Sequence, residues 1–165
     1  MLPDVLNAMV AAGKKRVLSG SYAPASFTRL GALLQSTDGD LSLDLCFRRD
    51  RKNRILLSGN ISGQITAQCQ RCLGPVSMQL DLPLELVLAE RHSGDDRTNA
   101  DRDTYYCDPA NLELAAMVEE EILLSMPMVA MHTDDDEDCR KTYQQSVAGV
   151  AQRPFADLKN LTNRG

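Results

Sequence analysis

Apolar and polar residues alternate along two stretches of the chain, which predicts strands with one buried face. Every second residue is apolar from Leu41 to Phe47 and again from Val76 to Leu88. A further strand, residues 54–69, is predicted to return between them. We expect it to bend at Gly59 or Gly63, because glycine tolerates a β-bulge.

The sequence CQRCLG, residues 69–74, separates the last two of these strands. Because so few residues join them, the two strands are predicted to form an antiparallel hairpin with both cysteines at its tip. Pro83 lies on the opposite face from the apolar residues of the last strand. It indicates an edge position or a bulge there.

Helical spacing and start signals occur in two other segments. Residues 23–35 predict a short helix with Ser26 as its N-cap. Tyr105 and Tyr106 are predicted to begin a short strand. Asp108 and Pro109 then open a longer helix that ends before Pro127.

The order of these elements predicts an α+β fold, an antiparallel sheet of long hairpins packed with a few helices and joined by flexible polar loops. The length, 165 residues, suits one domain over 1–165. Residues 90–103 are polar and aperiodic, which predicts a mobile loop. Residues 134–165 are predicted to form a partly flexible tail.

The composition argues against several protein classes. The chain has four tyrosines, three phenylalanines and no tryptophan, too few for a base-stacking platform of the RRM or OB type. No apolar run is long enough to cross a bilayer. Near the N-terminus the basic residues follow the apolar ones, the reverse of a secretory signal. We therefore expect a cytoplasmic protein with reduced thiols and no membrane contact.

Charge is distributed unevenly along the chain. Residues 1–72 carry ten Lys/Arg and five Asp/Glu, whereas residues 73–165 carry eight and eighteen. The net charge of −5 therefore combines +5 in the first part with −10 in the second. This asymmetry favours a surface that faces a polyanion, although two ordinary solvated faces would give the same totals.

Two clusters of cations are candidate RNA contacts. A rigid hairpin that presents several cations suits contacts with RNA phosphates, and the alternative is a solvated turn that protects a sheet edge. The larger cluster comprises Arg48, Arg49, Arg51, Lys52 and Arg54, and the smaller comprises Lys14, Lys15 and Arg16.

The cysteines at the hairpin tip are candidate metal ligands. A redox pair would need a helix N-terminus after the first thiol, and here both flanking elements are predicted strands. Zinc would need two more ligands beside Cys69 and Cys72, and His132 and Cys139 in one irregular segment are the candidates. The alternatives are a structural zinc site and free thiols in a turn.

One carboxylate of the longer helix is predicted to be buried. At 100° per residue, Glu121 falls within the apolar stripe, and Glu119 points away from it to solvent. A buried carboxylate needs a partner, for which Arg71 is the candidate. A structural ion pair is the first interpretation of Arg71 and Glu121, and a catalytic acid is the alternative.

Three segments together carry a resemblance to a known family: CQRCLGPV, LAAMVEEEILLSMPMVAMH with its later cysteine, and the closing RPFADLKNL. In matching order and spacing they resemble the bacterial YceD proteins, the large ribosomal RNA subunit accumulation proteins. The resemblance implies a role in synthesis, processing or stability of large-subunit (23S) rRNA without known catalytic activity. By position it marks Cys69, Arg71, Cys72, Glu119, Glu121, Pro127, His132, Cys139, Pro154 and Phe155.

Three functions remain for this sequence. The first is a non-enzymatic assembly factor that binds precursor large-subunit rRNA or a pre-ribosomal particle, with no small-molecule substrate. The second is an adaptor whose acidic residues 134–138 capture a basic ribosomal protein. The third, a metal-dependent nuclease, is disfavoured because those five acids lie in a predicted loop and not on ordered elements.

Overall fold

A computed structural model describes residues 2–90 and 102–148. The strands are β1 (Val5–Leu6), β2 (Val17–Tyr22), β3 (Leu34–Ser36), β4 (Leu41–Arg49), β5 (Ile55–Gln68), β6 (Pro75–Ala89), β7 (Thr104–Tyr106) and β8 (Leu112–Glu113). The helices are α1 (Ala8–Gly13), α2 (Thr28–Leu33), α3 (Leu114–Ser125) and α4 (Glu137–Ala148).

One twisted sheet dominates these residues. Its strand order is β2-β4-β5-β6-β7, with β3 also paired to β5. Every pair is antiparallel except β6 with β7, while β1 and β8 form a separate antiparallel pair. The predicted α+β class, built on an antiparallel sheet, is confirmed.

The long hairpin of β5 and β6 forms as predicted, with the two cysteines at its tip. Its register runs unbroken from Ile55 opposite Leu88 to Gln68 opposite Pro75, so the expected bulge is wrong. Gly59 is needed for another reason: a Cβ there would collide with the carbonyl oxygen of Asp44 on β4. β7 pairs with residues 87–89, and among the described residues no strand lies beside Pro83 on that side of β6, so β6 is an edge there, as the sequence indicated.

The alternation of residues gives the sheet two different faces. The inner face is apolar and packs against the first three helices in one core. Leu43, Leu57 and Ile122 are among its buried side chains. The outer face is polar and carries exposed acids such as Asp44 and Glu85.

Two predicted helices begin later than the sequence indicated. Residues 24–26 form a single 3₁₀ turn, and Ser26 caps no helix because its hydroxyl donates to the carbonyl oxygen of Ala23. Asp108 does not open α3: its carboxylate accepts hydrogen bonds from Ala110 and Asn111 and closes a turn instead. That turn leads into β8, and α3 follows.

The two segments predicted to be flexible are described only in part. Of the 90–103 loop, residues 91–101 lie outside the described residues, as do residues 149–165 of the tail. Within the described part of the tail, Glu137–Ala148 forms a helix where we expected irregular structure. Glu137 and Asp138 lie in the first turn of this helix, where their negative charges interact favourably with the helix dipole.

Candidate metal centre and basic edge

The structure brings together the four residues that the sequence singled out as candidate ligands. One ligand atom from each of Cys69, Cys72, His132 and Cys139 lies within 4.8 Å of every other. The first two belong to the β5–β6 turn, and the others lie just before α4 and in its first turn. Cys69 and Cys139 are buried. The fifty-nine residues between Cys72 and His132 hid this proximity in the sequence.

Two of the six distances among the four atoms match the edges of a tetrahedral zinc site, and the others are at most 4.8 Å. With zinc–sulfur bonds of about 2.3 Å and zinc–nitrogen bonds of about 2.0–2.1 Å, tetrahedral edges are about 3.8 Å between sulfurs and 3.6 Å between sulfur and nitrogen. The Sγ atoms of Cys69 and Cys139 are 3.8 Å apart. The Sγ of Cys72 and the Nδ1 of His132 are 3.6 Å apart.

The hairpin turn is shaped to stabilise a thiolate at Cys69. Leu73 adopts a positive φ of 61° and donates to the carbonyl oxygen of Cys69 at 2.9 Å, which folds the turn tightly. Burial alone would raise the pKa of Cys69. Hydrogen bonds from the backbone N–H groups of Cys72, His132 and Arg71 outweigh burial and lower that pKa to about 5.

The imidazole of His132 is oriented with its Nδ1 toward the thiols. Its Nε2 lies 2.9 Å from the carbonyl oxygen of Pro75, to which it donates, so Nδ1 faces Cys72. The side chain of Cys69 raises the pKa of His132, burial opposes this, and Cys139 adds to the increase. A thiolate at Cys69 and an imidazolium at His132 would stabilise each other, and a bound divalent cation would replace the imidazolium proton.

Arg71, between the two cysteines of the turn, belongs to this centre. Its Nε donates to the Sγ of Cys139 at 3.1 Å, and its Nη1 pairs with Asp134 at 3.1 Å. The predicted partnership of Arg71 with Glu121 is therefore wrong. Three thiolates around a bound Zn²⁺ would leave one net negative charge, which the guanidinium of Arg71 is placed to compensate. No sequence spacing indicated this contact, because Arg71 and Cys139 are sixty-eight residues apart.

The buried carboxylate of α3 is Glu119, and not Glu121 as predicted. Leu124, one turn along from Glu121 and on the same side of the helix, is 74% exposed, so the buried stripe lies on another side of α3. Glu121 is partly buried, and burial followed by repulsion from Asp103 and Glu120 raises its pKa. Its predicted ion pair is absent from the contacts of the described residues.

The two basic clusters form one edge of the molecule. The backbone N–H of Phe47 donates to the carbonyl oxygen of Arg16 at 2.9 Å, which places the start of β2 beside the end of β4. Lys14, Lys15 and Arg16 therefore lie near the β4–β5 turn. No spacing in the sequence indicated that these clusters would meet; we call them together the basic edge.

Not every predicted cation faces solvent within the basic edge. Arg54 packs against Asp50, with Nε to Oδ2 at 2.7 Å, and only 14% of its side chain is exposed. Arg54 is therefore a structural residue of the turn, a correction to its place among RNA contacts. Arg48 pairs with Glu85 at 3.7 Å, and Arg49 donates to Asn53. These two side chains remain exposed.

The other cations of the basic edge are exposed: Lys14, Lys15, Arg16, Arg51 and Lys52. In the part of the chain that the structure describes, no helix is long and apolar enough to cross a membrane.

Fold and site together define an α+β protein with a three-cysteine, one-histidine cluster able to bind a metal at one end of its sheet and a group of cations at the other. The family model described as large ribosomal RNA subunit accumulation protein YceD matches residues 57–162, and the chain belongs to this family. The resemblance seen in the sequence is confirmed, and the family's name supports a role in ribosome biogenesis.

A relative from Haemophilus influenzae, named large ribosomal RNA subunit accumulation protein YceD, is 25% identical over 171 residues. The match covers 99% of this chain and 97% of the relative. No solved structure matches the chain.

Proposed function

We propose that this protein is a non-enzymatic factor in large-subunit ribosome assembly that contacts precursor 23S rRNA through its basic edge. In this proposal it acts in the cytoplasm and holds a structural zinc ion at the opposite end of the sheet. The name of the family and of the relative supports the rRNA target.

The observation that carries RNA contact is the convergence of two distant cation clusters on one edge. Five of their side chains are exposed, and Arg48 and Arg49 add two partly engaged guanidinium groups. Such a concentration of positive charge attracts phosphates, and binding releases counterions from the RNA. The outer face of the sheet carries Asp44, Asp81 and Glu85 and is unsuited to the same role.

Zinc has a structural role in this proposal. Cys69, Cys72, His132 and Cys139 supply four protein ligands and so complete a tetrahedron, whereas catalytic zinc keeps one position open for water. The ion would join the hairpin tip to the start of α4 and so reinforce the contacts of Arg71 and the small buried cluster around Cys69 and Cys139. A full ligand set argues against a catalytic role for the ion itself.

Binding to fragments of 23S rRNA at several salt concentrations tests RNA contact. The variant combining Arg51→Glu and Lys52→Glu should bind much more weakly at low salt. Both side chains are exposed, and neither makes a hydrogen bond or ion pair to another described residue. The matched control combines Arg140→Glu and Lys141→Glu on α4, with an identical charge change at the other end. Contact with about four phosphates gives a slope of log K against log salt near −3.

Two results would contradict direct RNA contact through the basic edge. One is affinity that stays flat between low and high salt. The other is an equal loss of affinity in the α4 control, because that would reflect net charge and not the location of the cations.

A further inference from the structure

The end of the molecule near the metal centre exposes an unusual number of apolar side chains. Met128 is fully exposed at 100%, and Val129, Met131 and Leu33 are each more than half exposed. Single exposed apolar residues are normal on a protein surface, but a group of this kind marks a binding site.

Leu33 and Met128 line a groove between α2, the end of α3 and the hairpin tip, and Val129 and Met131 flank Ala130 of its lining in the chain. The groove has a volume of about 480 Å³, which falls within the roughly 300–1,000 Å³ of typical binding clefts. Its apolar lining includes Leu33, Leu123, Met126, Pro127, Met128 and Ala130, and we call it the methionine groove. Methionine side chains are flexible and polarisable, so a surface rich in them adapts to varied apolar partners.

The wall of the groove is fixed to the hairpin. The backbone N–H of Gln70 donates to the carbonyl oxygen of Ala130 at 2.8 Å, and Ala130 packs with Cys69 and Cys139 in a small buried cluster. The backbone is therefore held to the hairpin two residues after Met128, whose side chain is exposed. A rigid wall with flexible side chains can bind a partner without first ordering its own backbone.

Acidic side chains lie beside the lining of the groove. Gln70 of the lining precedes Arg71, which pairs with Asp134, and Ala130 of the lining packs with Cys139, which follows Asp138 in the chain. Asp134 is paired with Arg71, and Glu137 is paired with Lys141. Asp135 and Asp138 are also exposed and add further negative charge beside the metal centre. An occupant of the methionine groove therefore meets apolar side chains first and carboxylates at the rim.

We propose that the methionine groove and its acidic rim bind a basic amphipathic segment of a protein partner, with the partner's apolar face in the groove and its Lys or Arg side chains on the rim. An amphipathic helix in an apolar groove is a common mode of peptide recognition. The same acids repel nucleic acid, so RNA is disfavoured here. A second copy of this chain is also disfavoured, because its own groove end carries the same charge.

This inference goes beyond RNA contact and does not depend on it. The two surfaces lie at opposite ends of β5, so variants of the basic edge should keep their affinity for such a segment. The combined Arg51→Glu and Lys52→Glu variant serves as that check, and failure of one proposal leaves the other standing.

The test uses a fluorescently labelled 20-residue synthetic peptide with leucines on one helical face and lysines on the other, titrated with the full chain. Two control peptides are a scrambled sequence of identical composition and a version with glutamate for lysine. The designed peptide should bind at least about tenfold more tightly than either control, since only it matches both the groove and the rim.

Variants locate the site. Met128→Glu should weaken binding about tenfold and leave folding intact, because the side chain is fully exposed in the free protein. Met9→Glu on α1 is the matched control, with the same substitution at another exposed methionine. Asp135→Asn with Asp138→Asn should weaken binding about threefold at low salt, unlike Asp40→Asn with Asp44→Asn.

Four results would overturn the proposal. The first is equal affinity for the three peptides, and the second is unchanged affinity of Met128→Glu for the designed peptide. The third is displacement of the designed peptide by an RNA oligonucleotide to which Met128→Glu no longer binds. The fourth is a dimer in analytical ultracentrifugation that Met128→Glu dissociates, which would make a second copy the occupant.

Discussion

Glu119 on α3 accepts a hydrogen bond from the backbone N–H of Arg29 at 2.6 Å and so closes the exposed start of α2 from a different element. The same oxygen accepts the N–H of Leu30 at 3.0 Å, and its partner oxygen pairs with Arg29 Nε at 3.3 Å. Phe27 at the N-cap position offers no side-chain oxygen for these groups. The carboxylate therefore acts as an N-cap supplied in space and not in sequence.

Replacing Glu119 by alanine should destabilise the protein by about 2–4 kcal/mol, because a buried N–H group (Leu30) and a partly buried one (Arg29) lose their acceptor. Glu119→Gln keeps an acceptor oxygen but loses the charge and should cost about half as much. Chemical denaturation measures both. Glu120→Ala, which removes a half-exposed ion pair with Arg29, is the control and should cost less than about 1 kcal/mol. Equal costs at positions 119 and 120 would contradict the capping role.

The same carboxylate predicts a pH dependence. Burial would raise the pKa of Glu119, but hydrogen bonds from the backbone of Leu30 and Arg29 outweigh it, and the folded pKa lies below its ordinary value of 4.5. Stability from this group is therefore complete above pH 4.5 and lost as the pH falls through the folded pKa. Denaturant titrations from neutral to acid pH should show a shallower decline in Glu119→Gln than in the unmodified chain.

Metal content distinguishes a zinc site from a group of free thiols. Protein purified without chelator should contain one zinc ion per chain, and Cys139→Ser should contain none and melt at lower temperature. Cys107→Ser, a partly buried cysteine outside the cluster, should keep the metal. Chelator should lower the melting temperature of the unmodified chain and leave that of Cys139→Ser unchanged. Metal retained by Cys139→Ser would exclude this site.

Arg71 should strengthen metal binding without being a ligand. Arg71→Gln removes the guanidinium from Cys139 and should weaken zinc affinity about 10- to 100-fold, the usual effect of losing a partner of a metal ligand. Competition with a chromophoric chelator gives the affinity, and Arg140→Gln on α4 is the control. Unchanged affinity in Arg71→Gln would show that its contacts with Asp134 and the backbone serve structure alone.

The long strands were predictable because alternation is a local property. The alternation of residues in β4 and β6 determines which face of each strand is buried. The short CQRCLG connection between β5 and β6 requires these two strands to pair as a hairpin. The start of α3 was not predictable from the sequence. Asp108 can cap a helix or close a turn, and the pairing of β8 with β1 favours the turn.

The candidate metal centre could be assembled from ligand chemistry alone, since few residue types bind zinc and His132 and Cys139 were available in one segment. The hydrogen-bond and ion-pair partners of Glu119 and Arg71 could not be predicted from the sequence. Glu119 and Arg71 each pair with groups more than sixty residues away in sequence. The apolar residues of α3 do not all lie on its buried side, because Leu124 is exposed. A helical wheel drawn from the sequence therefore places the buried face wrongly, on Glu121 and not on Glu119.

β5 carries the β4–β5 turn at one end and Cys69 at the other, and its 14 residues span about 40 Å. Occupants at the two ends would be too far apart to compete for surface or to touch each other. Their binding free energies should then simply add, and either could arrive first. A single rigid strand would thereby serve as a spacer that holds two components of a growing particle at a set separation.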